Sequence, residues 1–262
     1  MRRSFLMLGL SVLLSSPVRA APGHLDRVLA THVLRACIWP DFYGISYRNP
    51  HTQQLTGLDV DMAREFAKDL GVELRFVDTS FAKLIDDVTE DRCDIAMFAI
   101  CVTPQRAAKL RFTQPHLVSD FYAITTRSNR RIKNWSDIDQ PGVVVAAIKG
   151  TIHEAVLRKK LTAATLLVVD NAQARELEVE SGRADVFMAT SASSRNMLDR
   201  VDWARGISPP STYHLTPFAY AVQPGDDPWF ARVEQFVATI KRDGRLLESA
   251  RRHQLETIVA AP

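Results

Sequence analysis

The chain has 262 residues, 46% of them hydrophobic and 24% charged, and its 33 basic and 30 acidic side chains leave a formal charge of +3. That length and apolar content suffice for one large or two modest cores, and the near balance of interspersed charges excludes a general electrostatic footprint for nucleic acid or an anionic membrane. The three cysteines, Cys37, Cys93 and Cys101, fit no zinc or thioredoxin-type spacing.

The first element in chain order reads as a secretory signal. Arg2 and Arg3 precede an apolar run over residues 5–14, Ser15-Ser16-Pro17 follows, and Ala20 offers a small residue for cleavage before Ala21. The run is shorter than the roughly 20 residues a bilayer span requires. Removing residues 1–20 takes away three arginines and no acid, which brings the formal charge to zero. The mature chain is expected to be soluble in the periplasm, an oxidising compartment where one pair of cysteines can join and leave one thiol. Spacing does not say which pair.

After an extended start over residues 32–37, Met62, Ala63, Phe66, Ala67 and Leu70 share one helical face and Gly71 supplies a stop. Val72, Leu74 and Phe76 alternate with charged residues as in a strand, Phe81, Leu84, Ile85 and Val88 return to helical spacing, and residues 94–100 form a short apolar strand. The pattern repeats: strand over 143–148, helix over 151–161, strand over 166–169, helix over 172–180, strand over 184–188. Strand-like segments at 121–126 and 218–222 flank this block, and a last helix starts at Pro228 and stops at Gly244. The basic cluster of Arg127, Arg130, Arg131 and Lys133 reads as a solvated connector. Strands separated by helices of this length imply parallel strands with covering helices, an α/β architecture in which each half builds its own sheet.

Short motifs occur along the chain in a fixed order: Gly57-Leu58-Asp59-Val60-Asp61, Cys93-Asp94-Ile95, Thr103-Pro104-Gln105-Arg106, Phe112-Thr113-Gln114-Pro115, Lys149-Gly150-Thr151, Ser181-Gly182-Arg183-Ala184-Asp185 and Asp243-Gly244. Each is weak alone, but the ordered set resembles the bacterial extracellular solute-binding proteins of family 3, periplasmic proteins that serve uptake of polar amino acids and related solutes. The resemblance implies a two-lobed type II periplasmic-binding-protein fold whose chain crosses twice between lobes. Lobe 1 would comprise residues 22–126 and 217–262, and lobe 2 residues 127–216. It also implies a monomer that closes around a small carboxylate ligand, an amino acid or related organic acid, and passes it to the permease of an ABC transporter. No cofactor or metal is expected.

The same resemblance proposes the ligand contacts. Arg106, after an apolar strand and a turn containing Pro104, would fork onto the ligand carboxylate, because a planar guanidinium matches two oxygens. Backbone N–H groups of Gly150 and Thr151 would clamp that carboxylate from a helix start, with Thr151 also serving as an ordinary N-cap. Ala99 and Cys101 would contribute main-chain or steric contacts, and Phe42 and Phe81 would sandwich the ligand body. One departure stands out. Where the family's amino-acid binders usually carry an aspartate for the ligand ammonium, this chain has Thr190, and a hydroxyl does not compensate a buried ammonium. Either Asp41 or Asp120 substitutes, or the ligand has no α-amino group and zwitterionic amino acids bind weakly.

Two rival functions share the scaffold. Periplasmic cyclohexadienyl dehydratases decarboxylate and dehydrate prephenate or arogenate and place a glutamate after the strand corresponding to residues 184–188, where this chain has Thr190-Ser191-Ala192-Ser193-Ser194. A ligand-sensing module for a membrane receptor is the other. His153 and Glu154 are adjacent on a helix and read as solvated surface.

Overall fold

The structure, a computed structural model, describes residues 23–261; the expected signal over residues 1–20 lies outside them. Helix α1 (His24–Thr31) leads into β1 (Val33–Ile38). A small antiparallel ribbon of β2 (Asp41–Phe42), β3 (Ser46–Arg48) and β4 (Leu55–Thr56) precedes α2 (Leu58–Leu70) and β5 (Glu73–Asp78). Then come α3 (Leu84–Thr89), β6 (Ile95–Cys101), α4 (Pro104–Ala107), β7 (Arg111–Phe112) and β8 (Leu117–Ser119). The second lobe holds β9 (Phe121–Thr126), β10 (Val144–Ile148), α5 (Ile152–Lys160), β11 (Thr165–Val169), α6 (Ala172–Glu180), β12 (Val186–Thr190), α7 (Ser191–Leu198) and β13 (Ala204–Ile207). The chain returns through β14 (Thr216–Val222) to α8 (Asp227–Asp243) and α9 (Arg245–Arg252).

Two sheets result. The first runs β5-β1-β6-β14-β7 with β8 also on β14, and the second runs β11-β10-β12-β9-β13. In each, three strands are parallel and the strands that carry the crossings are antiparallel: β14 against β6, and β9 against β12. This is the two-lobed α/β architecture expected, with one boundary displaced. Residues 121–126, expected in lobe 1, form β9, which pairs with β12 and β13 throughout. The outgoing crossing therefore lies at Ser119–Asp120, between β8 and β9, because a strand's composition does not reveal whose ladder it joins.

The helical periodicities locate the cores. Met62, Ala63, Phe66 and Ala67 of α2 are buried, and Gly71, left-handed at φ 69°, ends the helix. Phe66 packs on Trp229 and Phe236 of α8 with ring centroids 5.7 and 4.6 Å apart, and each such burial contributes about 1.5–3 kcal/mol. Cys37 of β1 and Cys93, just before β6, form a disulfide, leaving Cys101 as a buried thiol. Among the described residues no helix is long and apolar enough to cross a membrane.

Candidate ligand-binding cleft

The carboxyl ends of the parallel strands in both sheets face each other across a cleft, the position where open α/β sheets bind ligands. The first lobe supplies Trp39, Asp41, Phe42 and Tyr43 from the segment after β1, together with Phe81, Cys101 and Phe218; the second supplies Ile148, Thr151, His153, Ala172, Arg175 and Thr190. The lobes are closed. The cavity enclosed by these side chains is only about 30 Å³, room for a water or two.

Arg106 lies in the first turn after β6, where Thr103 caps α4 by accepting from the Arg106 backbone N–H at 3.3 Å. The residue is 7% exposed; Nη1 donates to the Cys101 carbonyl at 3.1 Å and Nη2 crosses to the Gly150 carbonyl at 2.9 Å, with Phe81 beneath the guanidinium at 5.3 Å. Among the described residues it has no acidic partner, and burial lowers its pKa. A buried cation balanced only by carbonyl dipoles is an incomplete arrangement that an anion completes. Cys101 thus contributes its carbonyl, and burial pushes its thiol up to about 12, so the sulfur stays neutral.

The expected N–H clamp differs from the geometry. Gly150 donates its N–H to the Glu154 carboxylate at 2.6 Å, and Thr151 donates to the Ile148 carbonyl at 3.2 Å. Glu154 thereby sits in the turn rather than on the solvated face expected of it, half of a reciprocal cap in which Thr151 Oγ1 accepts from the Glu154 N–H. Thr151 still lines the cleft. Nor do Phe42 and Phe81 form a jaw. Their centroids are 6.1 Å apart at 68°, edge to face, and Trp39 closes the group against both, so the aromatics make one wall with no slot for a ring between them. Ala99 is outside the cleft: left-handed at φ 46°, it donates its N–H to Asp59 at 2.6 Å, within a buried network that also ties Asp59 to His116 and Tyr220.

Thr190 ends β12 opposite Phe121 and lines the cleft. Of the two acids considered in place of the missing aspartate, Asp41 lines the cleft, where burial raises its pKa and its Oδ2 accepts from the Ala172 N–H of α6, across the lobes, at 2.8 Å. Asp120 does not. It accepts the backbone N–H groups of Phe121, Tyr213 and His214 at 2.7, 2.8 and 2.7 Å, joining the outgoing crossing to the returning one.

Two polar cleft residues escaped the sequence reading. His153, expected at the surface, is 8% exposed against Phe121 and its pKa falls to about 3, first through burial and then through Arg175. Arg175 is buried on α6. Its place three residues after Ala172 and four before Val179, on one buried stripe, was the available signal. Elsewhere, His24, Asp91 and Asp94 bring ligand-type atoms within 4.8 Å of one another, but Arg27 and Arg35 already fork onto both carboxylates, which leaves no uncompensated charge for a metal ion.

The model of the bacterial extracellular solute-binding proteins, family 3, matches residues 34–255. The chain belongs to this family. Relatives within it differ in what they do. The cyclohexadienyl dehydratase of Pseudomonas aeruginosa is 31% identical over 248 residues, 94% of this chain and 91% of the relative. A probable amino-acid ABC transporter-binding protein of Haemophilus influenzae is 28% identical over 74% of each chain. Among solved structures, an ancestral amino acid-binding protein described as a precursor of cyclohexadienyl dehydratase superposes with a TM-score of 0.80 at 26% identity, over 88% of this chain and 99% of the other. An arginine-binding protein of T. maritima, at 22% identity and TM-score 0.80 over 88% and 99%, shares the fold.

Proposed function

We propose that the protein is a periplasmic solute-binding protein that captures a small carboxylate-bearing ligand between its lobes for delivery to an ABC transporter. The observation that carries this reading is Arg106: a guanidinium buried at the lobe junction, without an acidic partner among the described residues, bonded to one carbonyl from each lobe. A carboxylate entering the cleft replaces dipoles with a charge, and contacts from both lobes draw them together. The family membership and the transporter-associated relatives support the delivery step.

The test is calorimetry on Arg106→Ala with a carboxylate selected by a thermal-shift panel, in which a ligand that binds only the folded state raises the melting temperature. Loss of a desolvated charge partner costs about 2–5 kcal/mol, so affinity should fall from about thirtyfold to several thousandfold while circular dichroism stays unchanged. A change under about threefold overturns the assignment.

The dehydratase relative favours a second reading, an enzyme acting in the same cleft. Such chemistry needs a general acid, and Asp41 is the carboxylate among the described lining residues, held on the Ala172 N–H. Incubation with prephenate is expected to yield no phenylpyruvate absorbance. Turnover that disappears in Asp41→Asn would establish the enzyme instead.

A further inference from the structure

Arg175 is a buried cation that lines the cleft, on the lobe opposite Arg106, whose own guanidinium lies at the lobe junction behind the Cys101 and Gly150 carbonyls. Its side chain is 7% exposed, yet a guanidinium with five N–H donors finds little to bind. Nη1 reaches the Met188 carbonyl at a long 3.4 Å, Nη2 stands 3.5 Å from Glu176 Oε1, and Nε has no hydrogen-bond partner. The plane rests on Phe187, 4.1 Å from the ring centroid. On the same wall, the buried His153 Nε2 also has no partner. Buried polar atoms are almost always bonded, so a cluster of unbonded ones beside a cleft marks where an incoming group binds. Glu176 offsets part of the charge from 3.5 Å, at the long limit of a hydrogen bond, and Asp41 faces Arg175 from the other lobe, so it withdraws when the lobes part.

We propose that Arg175 is an anion subsite on the second lobe, and that the ligand is a dicarboxylate with one carboxylate on Arg106 and the other on Arg175. This rests on the reading of Arg106 given above and extends it to the substrate class. Each planar fork matches a carboxylate, and one molecule held by a guanidinium from each lobe couples binding directly to closure. A ligand with a cationic side chain would instead meet two buried positive charges.

The experiment is calorimetry on the full chain with pairs matched in body: succinate against butyrate, glutarate against valerate, and phenylsuccinate against 3-phenylpropionate. In at least one pair the dicarboxylate should bind about tenfold tighter or more. Arg175→Gln should abolish that preference, with the dicarboxylate losing about tenfold or more relative to its matched monocarboxylate. Arg175→Lys, which keeps the charge without the fork, should retain an intermediate preference and serves as the variant if Arg175→Gln does not fold. Equal affinities within every pair of the wild type overturn the proposal, as does a preference that survives Arg175→Gln, tighter binding of L-arginine or L-lysine than of any dicarboxylate, or no dicarboxylate binding at millimolar concentration. The two readings fail differently. If Arg106→Ala loses monocarboxylates and dicarboxylates alike while the wild type treats each pair equally, the second subsite alone is wrong; if Arg106→Ala binds both as the wild type does, the anchor itself is wrong.

Discussion

At the residue scale, burial turns ordinary side chains into pH-sensitive ones. His153 is enclosed by Phe121 and the β12 backbone at Ala189, with Arg175 and His214 as the charged or titratable groups that oppose its protonation. Its folded pKa of about 3 lies below the ordinary value of 6.5, so the unfolded chain binds the additional proton between those limits. The stabilising contribution is complete above about pH 6.5 and declines as pH falls toward 3, by at most about 1.4 kcal/mol per unit. Denaturant unfolding of the wild type should therefore lose about 2 kcal/mol more than His153→Phe between pH 7 and pH 5; parallel profiles would remove His153 as the cause. The sequence did not show this, because adjacency to Glu154 says that two side chains diverge but not which one faces inward. Arg106 was legible for the opposite reason, since its motif follows a strand in a fixed order. Arg175 carries no motif, only a place on a stripe that Ala172 and Val179 bury.

At the scale of elements, the turn between β10 and α5 is a place of close contact between the lobes. Gly150 is left-handed at φ 76°, and a Cβ built there would lie 2.7 Å from the backbone nitrogen of Ala82 on the opposite lobe. The conformation alone costs a non-glycine residue about 1–2 kcal/mol, but the contact with Ala82 exists only when the cleft is shut. Gly150→Ala should therefore act as a wedge, weakening ligand binding by about tenfold or more. Small-angle scattering would check this: the wild type should compact with ligand and the variant should stay extended. Equal compaction of both proteins would show that the turn has room to shift. The helix faces that position this turn were readable from their 3.6-residue spacing, and so was the Gly71 stop. Strand edges moved by a residue or two, as with β12, which extends through Thr190 and so brings it into the cleft wall. The internal bonds of the turn were not readable, because Glu154 reaches back to Gly150 through its side chain.

For the whole molecule, the alternation of strands and helices announced two sheets, and the structure has them. The contacts that make one site of two lobes join residues far apart in the chain, Arg106 with Gly150 and Asp41 with Ala172, and no local pattern encodes them. The lobe boundary moved for the same reason, since β9 finds its partners only in three dimensions. The junction that results has a mechanical consequence. Asp120 accepts N–H groups from Phe121 on the outgoing crossing and from Tyr213 and His214 on the returning one, so the two connectors are riveted at one point and turn about a common axle. If the lobes part, bonds at one point favour a swing through a single angle over a drift of two tethered bodies, which would leave few wrong orientations to search on the way back. A ligand that closed them would have to quench the freedom of that one angle, so little of its binding energy would be diverted into ordering the protein.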